Sequence, residues 1–155
     1  MKLLFDEMLE KTARWCRIFG VDSDLVKGPD EKILKKAKKS KRVLVTRDKQ
    51  LAQICVKKGI PHILISSIDV LSQLKEIRRV AGKEIFHPEK TRCPKCNSLL
   101  FLITKNKARY FVPLKVLEHH RKFWFCRKCK HVYWHGGHWK NINKIKRKLL
   151  RNFKR

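Results

Sequence analysis

Apolar and polar residues follow one another along the first ninety positions in two rhythms. Lys2–Phe5 is a short apolar run that ends abruptly at Asp6, as a buried strand does. Over residues 7–19 the rhythm changes. Met8, Leu9, Thr12, Ala13, Cys16 and Phe19 recur at steps of three and four, which predicts a helix with these side chains on its buried face and Lys11, Arg14 and Arg17 on the others. Gly20 supplies its stop. After a Gly28-Pro29 turn, Asp30 opens a second helix through residue 39. Residues 42–46, Arg-Val-Leu-Val-Thr, form a β-branched strand that runs into Arg47 and Asp48, and a helix follows to residue 58. A strand at 60–65 and a helix at 68–80 complete the series. Strands alternating with helices predict an α/β fold, a mostly parallel sheet flanked by helices. Such sheets bind ligands outside the carboxyl ends of their strands.

Beyond residue 90 this alternation is lost, and the charge changes with it. Of 40 Lys and Arg and 13 Asp and Glu, residues 1–90 hold 21 and 12, and residues 91–155 hold 19 and a single acid, Glu118. The chain's net charge of +27 repels itself without an anionic partner. Nucleic acid is the expected one, and an anionic membrane surface is the competing one. No apolar run is long enough to span a bilayer, and Asp6 and Glu7 interrupt the only stretch resembling a signal peptide. A cytoplasmic location is therefore expected, where cysteines serve metals or remain thiols.

Cys93-x-x-Cys96 and Cys126-x-x-Cys129 are paired knuckles of the kind that closes a tetrahedral site. Four thiolates favour structural zinc over an iron–sulfur cluster at this spacing. Cys16 and Cys55 fall in predicted helices and are expected to be buried thiols. Around the knuckles, Phe123, Trp124, Phe125, Tyr133, Trp134 and Trp139 interleave with Arg and Lys. Bases stack on such rings while cations track phosphates; alternatively, the rings fill a small core. His135-Gly136-Gly137-His138 predicts a loop that leaves Trp134 and Trp139 exposed, with His138 at the same RNA-facing segment. Residues 140–155 place Ile142, Ile145, Leu149 and Phe153 on one stripe of a basic helical tail.

Nearly all carboxylates lie in the first half. Asp6 and Asp48 stand at or just after the carboxyl ends of predicted strands, and Asp30 starts the helix leading into the second of them. Carboxylates converging there need a cation, and hard oxygen ligands suit Mg2+ or Mn2+. Asp30 and Asp48 each also read as helix caps. Lys11, Arg14 and Arg47 lie near enough in sequence to meet a phosphate, and equally read as solvated charges.

Taken in order, Phe5-Asp6-Glu7-Met8-Leu9, Ala13-Arg14-Trp15, Gly20-Val21-Asp22, the Asp30 helix and Val43-Leu44-Val45-Thr46-Arg47-Asp48 resemble a PIN-like ribonuclease family. It is the one named for the C-terminal region of the Mut-seven exonuclease. The likeness continues through Arg92-Cys93-Pro94-x-Cys96-Asn97, Phe123-Trp124-x-Cys126-x-x-Cys129 and Tyr133-Trp134-x-Gly136-x-His138-Trp139, and covers residues 2–139. The resemblance implies a PIN-like nuclease domain over 1–85 and a zinc ribbon over 90–139; the basic tail over 140–155 lies outside it and reads as a backbone-binding extension. It also implies a metal-dependent endoribonuclease in which Asp6, Asp30 and Asp48 hold Mg2+ or Mn2+. Glu10 and Thr12 depart from the glycine and leucine that relatives carry in the first helix. PIN nucleases often present a fourth acid, and Asp69 is the best-placed residue for it. The alternative function is a non-catalytic RNA- or ribosome-associated binding protein. Only the resemblance, and not the electrostatics, favours RNA over DNA.

Overall fold

The apolar run at the amino terminus is strand β1, Lys2–Phe5, with Leu3, Leu4 and Phe5 fully buried. A computed structural model describes residues 1–150. The chain folds as two compact units, Met1–Asn97 and Ser98–Arg155.

In the first unit β1 is followed by a 3-10 turn at Glu7–Leu9 and by helix α1, Glu10–Ile18. Strand β2 is Asp22–Leu25, α2 is Asp30–Ser40, β3 is Val43–Thr46, and α3 is Lys49–Lys57. Strand β4, His62–Leu64, and helix α4, Val70–Ala81, complete the series. The sheet runs β2-β1-β3-β4 with every pair parallel. Leu4 and Leu44 lie side by side in register and pack on one face against Ile33, Leu34 and Ala37 of α2 and Leu51 and Cys55 of α3. Helices α1 and α4 meet each other. The chain leaves β1 toward one edge of the sheet and leaves β3 toward the other, so the strand order reverses between these two neighbours. In open parallel sheets that reversal opens a crevice at the carboxyl ends.

Two expectations for α1 are corrected. Met8 is 64% exposed, because the first turn is 3-10 and rotates it off the buried stripe. Arg17 is 5% exposed, and its partners are described below. Gly20, at φ +85°, ends this segment where the His87 carbonyl approaches so closely that a Cβ would sit 2.1 Å from its oxygen, and only glycine satisfies both demands. His87 N–H donates to the Phe19 carbonyl at 2.8 Å and Phe86 packs edge-on to Phe19, which returns the chain to α1 just before the first knuckle.

The second unit contains β5, Phe101–Ile103, α5, Lys105–Ala108, α6, Leu114–His119, β6, Phe123–Phe125, β7, Val132–Trp134, and α7, His138–Leu150. Its antiparallel sheet runs β5-β6-β7. Alternation along the strands is strict. Phe123, Val132 and the partly buried Ile103, Phe125 and Trp134 pack with Ala108, Val112 and Leu117 into a small core, while Leu102, Trp124 and Tyr133 share the other face in register. Helix α7 bears out the amphipathic stripe at Ile142, Ile145 and Leu149. The expected continuation through Phe153 to Arg155 lies outside the described residues. Among the described residues no helix is long and apolar enough to cross a membrane.

Candidate active site and metal centre

Asp6 ends β1 and is 4% exposed. Its Oδ2 accepts a hydrogen bond from the Thr46 hydroxyl, at the end of the neighbouring β3. Its Oδ1 is buried and, among the described residues, has no hydrogen-bond partner. Burial pushes the Asp6 carboxyl above the usual carboxylate range. The Thr46 hydrogen bond and the backbone N–H groups of Leu9 and Met8 oppose it, and the Asp48 charge adds a smaller push. Asp6 and Asp48 therefore face each other electrostatically at the strand-order reversal.

Asp48 also caps α3, its Oδ1 accepting from Gln50 N at 2.7 Å and Leu51 N at 3.1 Å, and its own N–H donates to the Thr46 hydroxyl at 3.0 Å. Thr46 thus ties the two acids together, a role the sequence pattern did not single out. Asp30 is the first residue of α2, one position past the cap, and is exposed; its charge acts on Cys55 of α3. Asp69 caps α4 through Ser72 N at 3.0 Å and is exposed. Among the described residues, the carboxylates do not assemble into a group of three or more within reach of one ion.

The four cysteines do. The Sγ atoms of Cys93, Cys96, Cys126 and Cys129 all lie within 4.8 Å of one another, against about 3.8 Å between ligands of a tetrahedral zinc with Zn–S near 2.3 Å. All four donors are thiol sulfurs, so the set fits a closed structural ion. Both knuckles have the same backbone form. Asn97 N–H donates to Cys93 O at 2.9 Å and Lys130 N–H donates to Cys126 O at 2.8 Å, and the donor residue is left-handed in each case, at φ 66° and 56°. Cys129 N–H also donates to the Cys126 sulfur at 3.3 Å.

The first knuckle is anchored to its own unit by polar groups. Arg17 of α1 donates from Nε to Ser23 O at 2.7 Å, and from Nη1 to Pro94 O at 2.7 Å and Lys95 O at 3.2 Å. Asn97 Oδ1 accepts from Ser23 N at 3.0 Å, where an adjacent strand would otherwise pair with β2. Its Nδ2 donates to Asp22 Oδ1 at 2.7 Å, the same oxygen that accepts from Arg42 at 2.7 Å. Burial works to raise the Asp22 pKa. Hydrogen bonds from Arg42 and Asn97, with the Arg42 and Arg92 charges, outweigh it and hold the carboxyl below its usual range.

Of the residues expected at RNA, Lys11 and Arg14 are exposed on α1, and Arg14 pairs with Glu10 at 2.5 Å. Arg47 is half-buried beside Asp48. The expected loop around Trp134 and Trp139 is corrected. Trp134 ends β7 on the core face, Trp139 lies in the first turn of α7, and both are half-buried. Only His135, Gly136 and Gly137 lie between the two elements. His138 is exposed at the start of α7. His135 stacks between Trp124 at 4.6 Å and Trp139 at 3.7 Å, and its pKa is lowered by burial and by the Lys122 and His120 charges.

The model of the Mut7-C RNase domain matches residues 1–146. The chain belongs to the Mut7-C RNase domain family. The match runs through both knuckles and into α7, further than the expected resemblance, which left out the tail from residue 140. The Mut7-C assignment suggests a ribonuclease-like function with RNA as substrate. No curated protein and no solved structure matches the chain.

Proposed function

We propose that this chain is an endoribonuclease that hydrolyses RNA phosphodiesters at the Asp6–Asp48 edge of the parallel sheet, using Mg2+ or Mn2+. The observation that carries this reading is the Asp6 carboxylate, buried, held by Thr46 on one oxygen, without a hydrogen-bond partner on the other among the described residues, and facing the Asp48 charge. Burying such a group costs free energy unless a cation meets it. Asp6 and Asp48 would hold the ion, with Asp30 at the start of α2 as the third acid. One or two carboxylates completed by substrate phosphates are the ordinary complement of a Mg2+ site. When bound, the ion supplies Lewis-acid activation of a water and neutralises charge at the scissile phosphate.

The chain's own residues orient and attract. Thr46 fixes the rotation of the Asp6 carboxylate, and the α3 amino terminus fixes that of Asp48. Arg47 and Lys11 bring positive charge to the phosphate, whereas Arg14 shares its guanidinium with Glu10. The second unit binds the RNA backbone, with zinc in the four-cysteine site. A cytoplasmic setting keeps those thiols reduced.

A second reading, an RNA- or ribosome-associated binding protein without catalysis, draws on one observation: among the described residues, the carboxylates are not gathered into a group of three. Cleavage of a mixed-sequence, structured RNA by the zinc-loaded protein with Mg2+ or Mn2+ separates the two. Cutting by the wild type that is lost in Asp6→Asn and Asp48→Asn, both still binding RNA, establishes the nuclease. Tight, salt-sensitive binding without cutting, on this RNA and on ribosomal RNA, assigns the protein to the second class. Binding that is flat with salt argues against backbone contacts altogether.

A further inference from the structure

The turn that carries Cys126 and Cys129 also places two cations over aromatic rings. Arg127 lies over the Phe101 ring, 4.1 Å from its centroid, and Lys130 Nζ lies 6.0 Å from the Phe125 centroid. Phe101 and Phe125 are cross-strand partners in β5 and β6. Phe111, from the segment between α5 and α6, packs on Phe125 at 5.1 Å. These groups make one continuous face within the second unit. It is not a closed core, because Phe101 is 39%, Phe111 50% and the adjoining Tyr110 76% exposed, with Arg109 beside the Tyr110 ring at 5.3 Å.

Exposed rings of this size are costly in a solvated monomer unless something covers them. The cover must tolerate cations, since residues 98–155 hold 17 Lys and Arg and one acid, Glu118. A protein partner would have to be strongly acidic at this face. A single-stranded nucleic acid meets both demands at once, with bases on the rings and phosphates at Arg127 and Lys130. A duplex meets only the second, because its bases are already stacked.

We infer that the Phe101–Phe111–Arg127 face is a stacking platform for single-stranded RNA. This inference rests on the reading that the second unit binds RNA. It moves the base contacts away from Trp134, whose ring faces the core, to rings that remain accessible.

The test uses the full-length, zinc-loaded protein and a labelled single-stranded RNA, with a duplex of the same length beside it, in fluorescence anisotropy over a range of salt. Phe101→Ser/Phe111→Ser should weaken single-strand binding roughly ten- to a hundredfold and leave the duplex within about twofold. The slope of log affinity against log salt should stay unchanged in that variant, whereas Arg127→Gln should lower it by about one. Zinc content equal to that of the wild type shows that the turn is intact. Arg127→Gln and Tyr110→Ser, both at exposed positions, carry the test if the double variant does not fold; losses confined to the single strand are then expected from Tyr110→Ser. Wild-type affinity in the folded variants overturns the platform and leaves the face to a protein partner. A wild type that binds neither RNA form overturns the RNA-binding reading and the platform with it.

Discussion

The Arg17 guanidinium donates to the Pro94 carbonyl at 2.7 Å, across 77 positions of sequence. A helix that follows the Asp6 edge of the sheet thereby holds the peptide between Cys93 and Cys96. With Ser23 O and Lys95 O it completes three hydrogen bonds from one buried cation. Arg17→Met keeps the apolar stem and removes every donor, leaving buried carbonyls unsatisfied. We expect a loss of about 2–4 kcal/mol in urea unfolding, together with weaker zinc retention against a chromophoric chelator. Unchanged midpoints in both measurements would show the contact to be incidental.

Asp22 gives the fold a dependence on acid. Its folded-state pKa is depressed, so its contribution is fully present above pH ~4 and is lost as pH falls through the folded value. Asp22→Asn removes the charge shared with Arg42 and Arg92 and should cost about 1–2 kcal/mol at pH 7. The gap between variant and wild type should close as denaturation curves are taken down toward pH 3. A gap that persists or widens there would contradict the assignment.

Asp6 behaves in the opposite sense. Its carboxylate is buried with one oxygen unpartnered, so a neutral amide of the same shape should fold at least as stably in divalent-free buffer at neutral pH. Thermal unfolding of the wild type should shift upward with Mn2+ while Asp6→Asn stays still. Equal shifts in both proteins would place the cation elsewhere.

Asp48 performs two tasks that a pair of substitutions can separate. Asparagine still accepts from Gln50 N and Leu51 N, so Asp48→Asn should keep stability and lose cleavage. Asp48→Ala should lose cleavage and also about 1 kcal/mol from the uncapped helix. If Asp48→Asn cleaves normally, capping is the whole role of this side chain.

Much of the first unit was readable because its signals are local. The three- and four-residue steps in α1, the β-branched run of β3 and the glycine stops each report on their own neighbourhood. Strand β2 was not readable. Asp-Ser-Asp-Leu has no apolar alternation, and it is a strand because Arg42, Lys36 and Asn97 satisfy its acids and its open edge. Arg17 looked like a solvated charge for the same reason, since the carbonyls it serves lie far along the chain. The four cysteines were legible because a knuckle is a local turn. Trp134 was misplaced although a signal existed: Phe-Trp-Phe and Val-Tyr-Trp share a period of two, which puts Trp134 on the Phe123 side.

Zinc analysis should find one ion per chain, and Cys96→Ser or Cys126→Ser should lose it, with unfolding of the second unit seen as lost near-ultraviolet dichroism. Metal-binding free energy on the order of 10 kcal/mol is large beside the core of Ala108, Val112, Leu117, Phe123 and Val132. Iron in place of zinc, or a folded metal-free chain, would end this account.

Thr46 receives the Asp48 N–H and has one proton to give, which goes to Asp6 Oδ2. In that arrangement Oδ2 is the acceptor of the pair. A proton on Oδ1, the oxygen without a hydrogen-bond partner among the described residues and the one a cation would take, leaves that hydrogen bond undisturbed. Acid and metal would then compete for one atom, and the hydroxyl of a strand-end threonine would be what leaves that atom open.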